Sequence, residues 1–232
     1  MLKRSLALLF LAVPLFAAQP DMDKALQELQ KGPEQAKPAI GFIVANSERA
    51  PALNLFFGAA AAAQLGRTEE AAFLFYAAQL RARMDAARYP PKGKGGDSPL
   101  VALGAINNQV GIMVNPAIMR QPQKFSAVVE RIAVWNPATP KGYEPGWQFT
   151  PGASEADARK KFNENRAAFL KQFRGMAKLL NDATYFAAFK TLQEFNFAPP
   201  AEQQKPEQVK KKDAAVKTLQ SIEQRMGIKG LF

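Results

Sequence analysis

Apolar residues recur three or four positions apart along most of this chain, the spacing that gathers them on one face of an α-helix. Phe73, Tyr76, Ala77, Leu80 and Met84 follow it, and so do Phe125, Val128, Val129, Ile132 and Trp135. Phe162, Phe169, Phe173, Met176 and Leu180 keep steps of seven, four, three and four, close to a heptad. Shorter stripes run through Leu26 and Leu29, through Ile40, Ile43 and Val44, and through Leu53, Phe56 and Phe57 ahead of the alanine run Ala59 to Ala63. Leu100, Val101, Leu103, Ile106 and Val110 make another, and Tyr185, Phe186, Phe189, Leu192 and Phe195 a further one. No segment alternates apolar and polar residues with the period of a strand. The pattern predicts an all-α fold of antiparallel helix pairs.

Pro, Gly and capping residues divide the stripes. Asp21 or Asp23 opens a first helix that Gly32 ends, and Pro38 fits the first turn of a second. A third is expected from Ser47-Glu48 to Gly66. Thr68 is the expected cap of a fourth, with Glu69 and Glu70 in the first turn and Arg81, Arg83 and Arg88 towards the end, each sign matching the helix dipole. Asp97 or Ser98 caps the next, with Pro99 in its first turn, and Asn115-Pro116 begins a separate short turn. Ser154 and Asp157 resemble a capping box, and Asn181-Asp182 predicts a break. Two segments read as loops: Tyr89 to Asp97, and the long Pro/Gly/aromatic stretch Asn136 to Gly152. Loops beyond about 12–15 residues are uncommon and often functional.

The first residues change the picture. Lys3 and Arg4, the apolar run Ser5 to Phe16 and the small pair Ala17-Ala18 have the layout of a secretory signal. The expected organisation is a signal peptide at 1–18, a helical domain at 19–200 and a basic, partly flexible tail with a weak helix at 201–232. The destination is periplasmic or secreted. No Cys follows the apolar run, which excludes a lipoprotein anchor, and no later stretch reaches the roughly 20 apolar residues of a membrane span.

Composition then narrows the chemistry. The 232 residues contain no histidine and no cysteine. Thiolate nucleophiles, disulfides, imidazole ligands and the usual neutral-pH proton shuttle are therefore excluded. Lys and Arg number 31 against 20 Asp and Glu; losing Lys3 and Arg4 with the signal leaves 29 against 20. That excess favours an acidic protein or an anionic envelope component as partner, and export disfavours nucleic acid.

One segment carries a family resemblance. In Leu65 to Ala78 (LGRTEEAAFLFYAA), Gly66, Glu69, Glu70, Ala71, Phe75 and Ala78 resemble the turn and second helix of a tetratricopeptide repeat. Gly58, Ala59 and Ala62 match the small first-helix positions where that repeat packs tightly. The likeness covers one unit of about 34 residues. It departs from the family after Ala78, where Arg83 stands in place of the expected proline, and no second copy follows at the same period. The resemblance implies a protein-binding helical scaffold without catalysis.

Several stretches are candidates for chemistry. Gly93 to Gly96 (GKGG) lacks the spacing of a phosphate loop and follows no strand, so it reads as a solvated loop whose lysines can meet an anion. Trp135 to Trp147 (WNPATPKGYEPGW) holds both tryptophans, Tyr143 and Glu144. Such aromatics either pin the loop to the body or form a recognition surface. Glu144 and Asp97 are the loop acids available for a glycosidase pair, which needs no histidine. Arg159, Lys160, Lys161, Arg166, Lys171, Arg174 and Lys178 share a helix with the Phe stripe and read as its solvated face. The resulting expectation is an exported, non-catalytic binding or scaffold protein with no cofactor and no metal. Its partner-binding residues would be Tyr143, Glu144, Trp147, Lys92 and Lys94. An inhibitor or immunity protein acting on an exported enzyme is the alternative, and a carboxylate-dependent cell-wall glycosidase the third reading.

Overall fold

A computed structural model describes residues 20–93 and 98–230; the segment expected to be a signal peptide, Lys94 and Asp97 lie outside them. The described residues form ten helices: α1 (Pro20–Glu28), α2 (Pro33–Ala45), α3 (Ala52–Gln64), α4 (Thr68–Arg88), α5 (Pro99–Met119), α6 (Pro122–Val134), α7 (Glu155–Leu180), α8 (Ala183–Phe197), α9 (Pro200–Gln203) and α10 (Pro206–Met226). No strand occurs among them, and none of these helices is long and apolar enough to cross a membrane. The all-α expectation holds.

α4 is the centre. It packs against α3, α5, α6 and α7, and every residue from Ala71 to Ala78 is buried. The small residues of α3 explain how its neighbours come so close. A Cβ on Gly58 would lie 3.0 Å from Leu74 Cδ1 and 3.1 Å from Ile43 Cγ2, so α2, α3 and α4 meet there only because that atom is missing. Gly66 turns the chain between α3 and α4 at φ 70°, a conformation costly for residues with a side chain. Around Tyr76, the rings of Phe75, Phe125, Phe169 and Phe173 lie 4.9–6.5 Å away, joining α4, α6 and α7. Each such ring, fully buried, contributes about 1.5–3 kcal/mol. The Tyr76 hydroxyl donates to Asn115 Oδ1 at 3.1 Å, so the buried oxygen is satisfied.

The C-terminal helices form a second layer. α10 packs along α8 through Leu219 and Ile222, Tyr185 donates to Glu223 at 2.8 Å, and Asp182 caps α8 by accepting from Tyr185 N. The last residues return to α7, where a Cβ on Gly175 would stand 3.0 Å from Ile228. The helix expected in the tail is present and is buried at Ala215, Leu219 and Ile222.

Four boundaries differ from the sequence reading. Pro38 and Pro116 lie inside α2 and α5 instead of starting new segments. Each proline frees the carbonyl four residues earlier, on Glu34 and Ile112, and both of those residues are exposed to water, which removes the penalty. Arg67, not Thr68, occupies the cap position of α4; the Thr68 hydroxyl turns back to Gly66 O, and Arg67 pairs with Glu70 instead. α3 begins only after Pro51, because the residues from Asn46 to Ala50 form turns.

Candidate functional site

The two segments read as loops pair with each other. Lys92 N donates to Gln148 O and Thr150 N to Pro90 O, both at 2.9 Å, giving one antiparallel bridge in a helical protein. Trp147 Nε1 donates to Tyr89 O at 2.7 Å, and the Tyr89 ring lies 5.8 Å from Tyr143 and 4.9 Å from Phe149. Gly152 presses against the end of α4. A Cβ there would fall 2.6 Å from the carbonyl oxygens of Ala87 and Arg88. Ala153 closes the contact, its N donating to Ala87 O and its O accepting from Arg88 Nη1.

Beneath this loop lie the two charged residues that are buried among the described residues. Arg81 and Asp85, one turn apart on α4, both have no exposure to solvent. Arg81 Nε donates to Asp85 Oδ2 at 3.2 Å and to the Tyr143 hydroxyl at 2.9 Å, and lies 3.0 Å from Asp85 Oδ1. Tyr143 in turn donates to Asp85 Oδ2 at 2.5 Å, and its ring faces the guanidinium with 4.0 Å between Cζ and centroid. Arg81 Nη1 donates to Ala138 O at 2.8 Å and Glu48 O at 3.3 Å; Ala138 N donates to Glu48 O. One guanidinium thus ties the long loop and the α2–α3 turn to α4. Burial pushes the Asp85 carboxyl up to about 6, with Arg81 pulling the other way. Burial, reinforced by the Asp85 carboxylate, holds the Tyr143 hydroxyl well above its ordinary range, so it stays a proton donor to the ion pair. Arg81, Asp85 and Tyr143 line neither of the two clefts described below.

The expected partner-binding residues divide accordingly. Tyr143 and Trp147 are turned inward, 6% and 8% exposed, and pin the loop as described. Trp135 is buried too, its ring 6.0 Å from Phe162. Glu144 and Lys92 are exposed, and among the described residues Glu144 makes no hydrogen bond or ion pair. Lys94 and Asp97 are outside the described residues. Tyr143 and Trp147 thus both turn inward on Tyr89, and Phe149 is the ring of this loop that stays exposed. Sequence reasoning assigns Arg81 to the helix dipole and misses its buried partners. The available signal is an Arg and an Asp four apart, each beside a residue of the apolar stripe, Leu80 and Met84.

Among the described residues, two clefts that face solvent stand out. One of about 440 Å³ lies between α1 and α2, with Asp21, Glu28 and Glu34 on its walls beside Lys24 and Phe42. The other, about 300 Å³, is a trough between α4 and α5. Phe56, Ala82, Ala86, Leu100, Leu103 and Gly104 line it with apolar surface, and Gln79, Arg83 and Asn107 supply polar groups. Among the described residues, no three Asp or Glu side chains converge as a metal site would require. No protein family, curated protein or solved structure matches the chain.

Proposed function

We propose that the protein is an exported, non-catalytic binding protein that engages another macromolecule through its helical surface. The observation that carries this reading is the sealing of the Arg81–Asp85–Tyr143 cluster: its two charged residues have no solvent exposure. What remains outside are clefts between helices. Clefts of this kind, apolar with a few polar groups, suit recognition. Export rests on the Lys3 to Ala18 pattern. Mass analysis of the protein from the envelope fraction is expected to show a chain beginning after Ala17 or Ala18; full-length protein in the cytosol overturns it.

The helix pairs support a tetratricopeptide-like arrangement of α3/α4 and α5/α6. α5 packs against both α3 and α4, and α6 packs against α4, as successive units of such a stack do. An experimental structure in which one pair superposes on the other by rotation about a single axis supports this; unrelated orientations end it. Binding itself is tested by placing a photo-crosslinking residue at Phe42, Gly104, Glu144, Phe197 and Lys217 in turn, in cells. A discrete adduct from one face is expected. No adduct from any position, or substrate turnover abolished by Glu144→Gln, overturns the reading.

A further inference from the structure

α5 is covered on one side and bare on the other. Leu103, Val110, Val114 and Ile118 are buried where the helix packs on α3, α4 and α6. Val101, Ala105, Asn108 and Ile112 form an exposed stripe on the outer face, where Val101 is 53% and Ile112 71% exposed. Nothing in that stripe is charged, and neither are its exposed neighbours Ala102, Gly104 and Gln109. The contrast with the rest of the molecule is sharp, since 22% of the chain's residues are charged. Among the described helices, α3 is the one other without Asp, Glu, Lys or Arg, and Gln64 is its one exposed residue. Depletion of charge is the compositional mark of the centre of a protein interface.

We propose that this face pairs α5 with α5 of a second copy of the chain, antiparallel about a two-fold axis. Two observations select a second copy over an unrelated partner. The first is spacing. The stripe steps by four, three and four residues, so it reads the same in both directions and keeps the heptad rhythm of packed helices. Laid antiparallel on itself, it sets Val101 against Ile112 of the second copy and Ala105 against Asn108. Each contact then occurs twice, as a two-fold interface requires. An amide both donates and accepts, so Gln109 and the Nδ2 of Asn108, which make no hydrogen bond among the described residues, find suitable groups in a copy of themselves. The second observation is charge. The formal net charge is +11, and a two-fold contact through α7 or α10 would bring exposed Lys160 and Lys161, or Lys210 and Lys211, beside their own copies. On the outer face of α5 that repulsion has no local source. Val101 to Ile112 span about 16 Å of helix. A single helix pair of that length stays below the roughly 1,200 Å² of stable complexes, so the dimer is weak and forms reversibly.

The test is sedimentation velocity with the full mature chain at about 10 µM to 1 mM, the range in which a contact of this class forms. A shift from monomer to dimer is expected. Raising NaCl from about 0.05 to 0.5 M is expected to strengthen it, because salt screens the repulsion between the copies. Ile112→Glu and Val101→Lys are each expected to weaken the dimer by about tenfold or more, since each sets a charge against an apolar side chain. The double variant is expected to recover most of that loss, because in this register the two new charges face each other across the axis. All these positions are exposed, so circular dichroism is expected to stay unchanged. The chain has no cysteine, so Ala105→Cys and Asn108→Cys report the register without background. Under mild oxidation a mixture of the two is expected to crosslink faster than either alone. A monomer at every concentration, a dimer indifferent to Ile112→Glu, or no recovery in the double variant overturns the proposal. So does faster crosslinking of Ala105→Cys with itself, or sedimentation with phosphatidylglycerol vesicles in place of a dimer. None of these outcomes bears on the binding role, which the photo-crosslinks test.

Discussion

α4 and α5 are the same length, 21 residues, and their fates are opposite to their compositions. α4 contains Glu69, Glu70, Arg81, Arg83, Asp85 and Arg88, yet it is the most enclosed helix, with α3, α5, α6 and α7 around it. α5 contains no charge, yet Leu100, Val101 and Ile112 face solvent. The share of apolar residues in a helix therefore does not decide which one is central. Small residues decide it on one side, since Gly58 and the alanines of α3 and α4 allow close approach. Pairing of charge decides it on the other, since Arg81 and Asp85 enter the core with each other, Tyr143 and two carbonyls as partners, only Arg81 Nη2 and Asp85 Oδ1 lacking a hydrogen bond.

Removing one partner of that arrangement is expected to have the largest effect. Arg81→Ala leaves Asp85 buried and uncompensated, a loss of about 3–5 kcal/mol by urea denaturation, with faster hydrogen exchange at Ala138. The double change Arg81→Met with Asp85→Leu is expected to lose less than the single one; a larger loss would show that the charges themselves hold α4 in place. Acidity probes the same pair. Because burial raises the Asp85 carboxyl to about 6, folding favours its protonated form. Its contribution is full below the ordinary value near 3.8 and is lost as pH rises through about 6. Thermal melts of wild type and Asp85→Asn are accordingly expected to diverge in this sense across pH 4–7, and parallel curves would refute the shift.

Two glycines then sharpen the contrast between the helices. Gly58→Ala puts a methyl group about 3 Å from Leu74 and Ile43 and is expected to destabilise by about 1–3 kcal/mol. Gly104→Ala meets open space inside a helix and is expected to stabilise by up to about 1 kcal/mol. Both are read from chemical denaturation midpoints. Equal effects would mean that α3 and α5 are packed alike.

The helices were legible because their stripes repeat locally. The close approach at Gly58 was legible as well, since Gly costs a helix about 1 kcal/mol and is kept in one where a neighbour leaves no room for a side chain. Pro38 and Pro116 misled because whether a proline breaks a helix depends on what surrounds the freed carbonyl, and the exposure of Glu34 and Ile112 is a tertiary fact. The cluster under the loop was out of reach for a related reason. Arg81 takes its partners from Glu48, Ala138 and Tyr143, 33 to 62 positions away, and two of the three contacts are to backbone oxygens that any residue supplies. Tyr143 and Trp147 were visible as aromatic residues on a stiff loop, but which way they point is set by Asp85 and by the carbonyl of Tyr89.

The antiparallel bridge between Pro91 and Phe149 has a further consequence. It brings the departure and the return of the α5–α6 excursion to one spot, held by the backbone of Pro90, Lys92, Gln148 and Thr150. The two ends of the excursion are thus fastened side by side, while Val110, Ile118, Phe125 and Ile132 bury the helices between them in the common core.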